Sequence, residues 1–429
     1  MAVLLTCLAT VSDAADKIVA PRLPVTQRWS VDLGEAASAA PAASDNRVYV
    51  ALKSAHVTAR DVRDGHELWR IAKDVVVAPV ADAGLVFIAA GEAIEGLRGS
   101  DGASAWTVPR VKAVAPLFAE GGWVLAVTDA EILAIRASDG QVVWRHAAGG
   151  VRLAPVVDGD RIYVGANDGR VLALNLASGE LVWDNYLTGG VTAIAAHRGH
   201  VYAGAGDKHF YCLDGRNGAS RWSYRVGAIV MGHISVDDER VYFGALDNVI
   251  RGLDRSSGNQ RWKQPLNRRP IAGAYAAGHV VFVPAAAPEL VMLYDANGKS
   301  CGTISLPGEM TPDLPPAVSE TTAGVQIFAV TGGLSNVWQL TFIGPAGEPP
   351  VTPFSALDTM PGADYLTDPV LQPLGQVLGT LLLDDPLLKP ALAMEWPLVL
   401  KDPALEPLTT LPGLQLRPLS SALPVRRGG

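Results

Sequence analysis

The sequence predicts an all-β fold: an eight-bladed β-propeller of four-stranded antiparallel blades, closed by its N-terminal strand and followed by a Pro/Leu-rich C-terminal extension. Three observations predict it. Trp recurs as Trp29, Trp69, Trp106, Trp144, Trp183, Trp222 and Trp262, at gaps of 40, 37, 38, 39, 39 and 40 residues. Every Trp after the first stands four residues beyond a glycine, namely Gly65, Gly102, Gly140, Gly179, Gly218 and Gly258. An alternating apolar unit also returns, as APVVDGDRIYVGANDGRVLALN (154–175), AIAAHRGHVYAGAGDKHFYCLD (193–214) and HISVDDERVYFGALDNVIRGLD (233–254). Fixed self-similarity of this length marks a repeat architecture.

In chain order, residues 1–23 come first. AVLLTCLATV at 2–11 is apolar and SDAADK follows, which reads as an export-signal remnant or an N-terminal linker, with Ser12-Asp13-Ala14 as a small-x-small cleavage site. Leu4-Leu5-Thr6-Cys7 resembles a bacterial lipobox, so a lipid anchor on Cys7 stays open. QRWSV at 27–31 is a strand with no inner strands of its own.

The repeats occupy 24–343. Period-2 alternation with β-branched and aromatic residues marks strands. Asp168-Gly169, Asp207-Lys208 and Asp247-Asn248 suit tight hairpin turns, because Asp, Asn and Gly tolerate the backbone angles required. Four short strands fit each unit. One such sheet cannot bury both faces alone, whereas a radial stack of them can. Each Trp marks the outermost strand, and removing about 150–250 Å² of indole from water is worth roughly 4–6 kcal/mol of gross burial. Their even placement argues for blade-to-blade packing and not for ligand stacking.

After Trp262 the next slot is Cys301-Gly302, beyond YDANG at 294–298, and its Trp is lost. Three strands follow, around 315–319, 325–331 and 337–343, with no fourth. The N-terminal strand supplies it and removes a free edge. Seven blades would leave either Trp29 or the last three strands unpaired. Cys212 and Cys301 fall two repeats apart, too far for a disulfide, which needs Cα atoms within about 7 Å. Both read as small buried hydrophobes.

Residues 344–429 hold 15 of the 30 prolines and 20 leucines. Such Pro density forbids long helices and central strands. The tail reads as an extended segment whose Leu side chains dock on the propeller surface or on another protein. Composition adds limits. Apolar residues make up 49% of the chain, enough for a large core. A net charge of −8 argues against nucleic acid as a partner. No run of 18 apolar residues exists, so no ordinary transmembrane helix is expected.

The segments VRDGHELW, GSDGASAW, ASDGQVVW, ASGELVW, RNGASRW and SSGNQRW share Gly-x-x-x-Trp, and Leu213-Asp214 and Leu253-Asp254 extend it to the form Ala/Leu-Asp-x-x-x-Gly-x-x-x-Trp. This resembles the PQQ-type propeller repeat over roughly 24–343. The period is also WD40-like, but the Gly-His and Trp-Asp dipeptides of that repeat are missing. PQQ-type repeats occur in the outer-membrane assembly lipoprotein BamB and in bacterial quinoprotein dehydrogenases, and the resemblance implies two functions. The first is a non-enzymatic protein-binding scaffold of the bacterial envelope, BamB-like. It would be a monomer, periplasmic or outer-membrane-associated, with an envelope β-barrel assembly factor as protein partner. The second is a PQQ-dependent oxidoreductase of the alcohol or sugar dehydrogenase type, holding PQQ and Ca²⁺ in its central funnel. That pattern includes an adjacent Cys pair, an Asp base and acidic or amide calcium ligands. No Cys-Cys occurs here, the repeats lack long insertions, and no Asp maps onto the base. No catalytic, cofactor-binding or metal-binding residue is therefore assigned, and no cofactor is expected.

Other motifs carry little chemistry. His197 and His200 have H-x-x-H spacing in a predicted hairpin turn, without the three or four convergent ligands of zinc. Asp158, Asp160, Asp237, Asp238 and Glu239 read as turn formers and not as a calcium loop. The loops entering the innermost strands carry Lys112, Arg152, Met231, Arg268 and Arg269, with Glu309, Met310 and Asp313 further on. Lys112, Arg152, Met231, Arg268 and Arg269 are the candidate partner-binding residues, the arginines suiting an acidic segment.

Overall fold

The computed structural model describes residues 25–44, 46–308, 314–321, 324–332 and 337–345. Among them, thirty-two strands form eight antiparallel sheets of four. Blade 1 runs from inside to outside as Ala42–Ser44, Arg47–Leu52, His56–Asp61 and Glu67–Ala72. Blades 2 to 7 repeat this order, starting at Val80, Phe118, Val156, Val191, Ser235 and Tyr275. Blade 8 takes Ala317–Thr321, Gly324–Gly332 and Trp338–Pro345 from the end of the chain, and its outermost strand is Val25–Asp32. That strand pairs antiparallel with the last one, Val25 opposite Pro345 and Trp29 opposite Phe342, with a bulge between Gln27 and Trp29. The first strand of blade 8 touches the first strand of blade 1, which closes the ring. The expected eight blades and their closure are thus observed. No helix among the described residues is long and apolar enough to cross a membrane. Residues 1–24 with Cys7, the loop residues Glu309, Met310 and Asp313, and the tail from 346 onward lie outside the described residues.

The strand types follow from where each faces. Second and third strands are covered on both sides, so Arg47–Leu52 and His56–Asp61 are buried along nearly their whole length. Outer strands alternate, as Leu181–Tyr186 does, with Trp183 inward and both its neighbours exposed. The apolar core is divided among eight clusters, one per seam between adjacent blades.

Seven of the eight seams have the same fastening, and the seam between blades 7 and 8, where the Trp is lost, lacks it. The indole N–H of Trp183 donates to the carbonyl of Gly215 in blade 5 at 2.9 Å. Trp29, Trp69, Trp106, Trp144, Trp222 and Trp262 likewise donate to Val62, Gly99, Ala137, Leu176, Arg255 and Asp295 of the following blade. The repeat glycine lies under the indole of the preceding blade. At Gly218, where φ is +72°, a Cβ would stand 2.6 Å from the Trp183 ring, so shape and backbone both demand glycine. Gly298 fills the same role under Trp262, although no Trp follows it. Burial of the indoles is uneven. Trp106, Trp144, Trp183 and Trp262 are buried, while Trp29, Trp69 and Trp222 are half-buried. Cys212 and Cys301 are both free and sit in blades 5 and 7.

Candidate functional site

Antiparallel order puts the loops that enter each first strand on one face of the ring, together with the turns between second and third strands. All five candidate partner-binding residues lie on that face. Lys112 is exposed in the loop between blades 2 and 3, just past Arg110, which has a φ of +61°. Arg152, between blades 3 and 4, pairs with Asp129 at 2.7 Å. Arg268 has its nearest acid, Glu289, at 3.9 Å. Arg269 is exposed and makes no ion pair among the described residues.

The structure brings two of the five together and leaves the others apart. Met231, from the loop entering blade 6, and Arg269, from the loop entering blade 7, line one shallow cleft with Pro270 and Ile271. Gly244, Ala245 and Leu246 complete its lining, around about 170 Å³ of open volume. Arg268 neighbours this cleft in sequence, whereas Lys112 and Arg152 belong to other seams. Met231 is 51% exposed and Ile271 36%.

The two loops that supply Met231 and Arg269 are laced together a few residues further along the chain. The His233 N–H donates to the Ala272 carbonyl at 2.8 Å, and the Ala274 N–H to the His233 carbonyl at 3.1 Å. This parallel bridge joins neighbouring blades directly. It needs Gly273, because a Cβ there would lie 2.3 Å from both the N and the O of His233. The Ser235 hydroxyl donates to the Ala274 carbonyl at 3.0 Å and accepts from the Ala276 N–H at 2.8 Å. The His233 ring stacks on Tyr275, centroids 4.5 Å apart and the ring planes nearly parallel. His233 is exposed, yet crowding by the surrounding blades disfavours its cationic form and lowers its pKa. Sequence reasoning missed Ile271, Ser235, His233 and Tyr275. The only available signal was the pair of glycines, Gly232 and Gly273, both of which adopt positive φ.

The other motifs resolve into structural bonds. His197 meets Asp238 at 3.3 Å, while His200 bonds the Arg198 carbonyl and Arg221, so the two rings serve different partners. Asp237 is a turn former, accepting from the Glu239 and Arg240 N–H groups. Asp158 departs from expectation. Its carboxylate accepts from the Arg198 and Gly199 N–H groups of the next blade, and so caps a neighbour's turn. No group of three or more His, Cys, Asp or Glu converges among the described residues.

A family profile described as outer membrane protein assembly factor BamB matches residues 25–119, 112–194 and 185–311. No curated protein matches the sequence. Among solved structures, BamB from Moraxella catarrhalis is 17% identical with a TM-score of 0.61, over 75% of this chain and 98% of that one. A quinohemoprotein alcohol dehydrogenase from Pseudomonas putida HK5 is 13% identical with a TM-score of 0.63, over 75% and 76%. The computationally designed protein Ika8 is 16% identical with a TM-score of 0.63, over 75% and 99%. At these identities the likeness is one of fold.

Proposed function

The chain belongs to the outer membrane protein assembly factor BamB family of PQQ-repeat propellers, and from that premise we propose that it is a non-enzymatic protein-binding scaffold of the bacterial cell envelope, acting in outer-membrane protein assembly. The observation that carries this reading is the loop face between blades 6 and 7. There a hydrogen-bonded rim presents exposed apolar side chains beside the exposed Arg269, which has no ion pair among the described residues. Such a surface suits a protein segment.

The fold is shared with quinohemoprotein dehydrogenases, so PQQ with Ca²⁺ was considered. The donor chemistry does not fit it. The two cysteines of the propeller sit in different blades, and among the described residues no three acidic side chains gather as calcium ligands.

Photo-crosslinking in living cells tests the scaffold role. A benzoylphenylalanine at position 112, on the loop face, should recover an envelope β-barrel assembly protein. The same probe at 143, on the outer rim, should not. Exported protein that yields no envelope crosslink from any loop-face position would refute the reading. So would saturable dye reduction with alcohols or sugars after adding PQQ and Ca²⁺.

A further inference from the structure

We propose that the cleft between blades 6 and 7 binds an extended peptide segment through one bulky apolar side chain flanked within two residues by a carboxylate. This deepens the scaffold reading and rests on it. The size of the cleft selects the anchor. About 170 Å³ falls below the roughly 300–1,000 Å³ of small-molecule sites, and suits a single Leu, Ile, Met or Phe side chain. Its walls are apolar, and Met231 is unbranched and adaptable, which favours a peptide side chain over a rigid cofactor.

Charge selects the flank. The chain as a whole carries −8, yet two adjacent arginines stand beside this cleft. On the same face Lys73 is paired with Glu95 at 2.7 Å and Arg152 with Asp129 at 2.7 Å. Arg269 has no such partner among the described residues, and the nearest acid to Arg268 is 3.9 Å away. An exposed guanidinium without a carboxylate is complementary to one brought by a ligand, and can bind it through two parallel hydrogen bonds. Because Arg269 precedes Pro270 and Ile271 directly, the acid and the anchor must be close in the ligand, at about 3.3 Å per extended residue.

Rigidity makes the site worth binding to. The His233–Ala272 and Ala274–His233 hydrogen bonds and the Ser235 hydroxyl hold both cleft walls before any ligand arrives, so little ordering cost remains.

Selection of phage-displayed peptides on the purified full chain tests the proposal. The expected outcome is enrichment of sequences with Asp or Glu within two positions of a bulky apolar residue. The leading peptide, made synthetically with a fluorescein label, should lose at least ten-fold in affinity by anisotropy against Met231→Ser and against Arg269→Glu. A version with Lys in place of its acid should bind Arg269→Glu better than the parent chain. Both residues are exposed, so melting temperatures should not change. No enrichment of that motif, or binding by either variant as tight as by the parent chain, would overturn the cleft. If the envelope crosslinks from position 112 persisted in that event, the scaffold role would stand without this site.

Discussion

Met292 lies directly across the strand pair from Gly302, its methyl 3.2 Å from where a Cβ on that glycine would stand. Blades 1 to 6 reverse the pairing of large and small. Trp69, Trp106, Trp144, Trp183, Trp222 and Trp262 face Ala59, Gly96, Ala134, Ala173, Cys212 and Gly252. Blade 7 has lost its indole and fills the space from the opposite strand. Met292→Ala should therefore cost about 2–5 kcal/mol, as truncations that leave cavities do. Met292→Leu should cost less than about 1.5 kcal/mol. Urea titrations check both, and equal midpoints for the two variants would contradict the exchange of volume.

Trp183 combines burial with the bond to Gly215. Trp183→Ala should cost about 3–5 kcal/mol, and Trp183→Phe should retain most of the packing while losing the hydrogen bond, worth about 1 kcal/mol, plus some ring volume. Peptide specificity should not change. Gly218→Ala should destabilise by about 2 kcal/mol or more, through its positive φ and its contact with the same indole. Loss of binding at an unchanged melting temperature would point to a ligand role for Trp183 instead.

The closing strand is secured by aromatic packing. Trp29 lies 5.7 Å from Phe342, which stacks on Phe328 at 4.9 Å. Deleting residues 25–32 uncovers the edge of Trp338–Pro345, and the truncated chain should self-associate. Adding a synthetic 25–32 peptide should return it toward the monomer peak in size-exclusion chromatography. A truncated chain that stays monomeric and melts normally would mean that closure is not needed.

Acid should act in two stages. His233 has a folded pKa lowered to about 4 from 6.5, so the unfolded chain binds the extra proton and stability falls as pH drops from about 6.5 toward 4. Exposure of His233 limits the depth of this effect and leaves its sign. Asp214 is held low by the Arg216 N–H and by Arg221, and Asp254 by Ser256 and Arg261. Their contribution is complete above the unfolded carboxylate value of about 3.9 and is lost as pH falls from there through their lower folded values. His233→Gln should flatten the melting curve between pH 6.5 and 4, and Asp254→Asn should flatten it only below about pH 4. If His233→Gln left the upper stage intact, the histidine would not be its source.

Burial raises the Cys212 thiol to about 12, and Cys301 is raised less and is partly exposed. Iodoacetamide at pH 8 should label Cys301 first and reach Cys212 only on unfolding, as read by peptide mass spectrometry. Simultaneous labelling would show that blade 5 opens in the native state.

The blade count, the strand order and the closing strand were legible because each rests on local periodicity. Alternation marks a strand, Asp-Gly or Asp-Asn marks a turn, and an unmatched strand at each end of a repeat array implies that the two pair. Lys112 and Arg152 show where this reading stops. They share the loop composition of Arg269, yet Arg152 is neutralised by Asp129, a pairing across 23 residues that no periodicity announces.

Sequence by itself determined that this chain is a ring of repeated sheets, since spacing along a chain encodes elements that recur. Tertiary structure alone decided which residues meet across the seams. Gly65, four residues before Trp69, lies under Trp29 of another blade, and Met231 meets Arg269 although 38 residues separate them. The reason is geometric. Radial stacking brings positions about one repeat apart into contact, and which of them touch depends on the twist and registry of whole blades, which no single segment specifies.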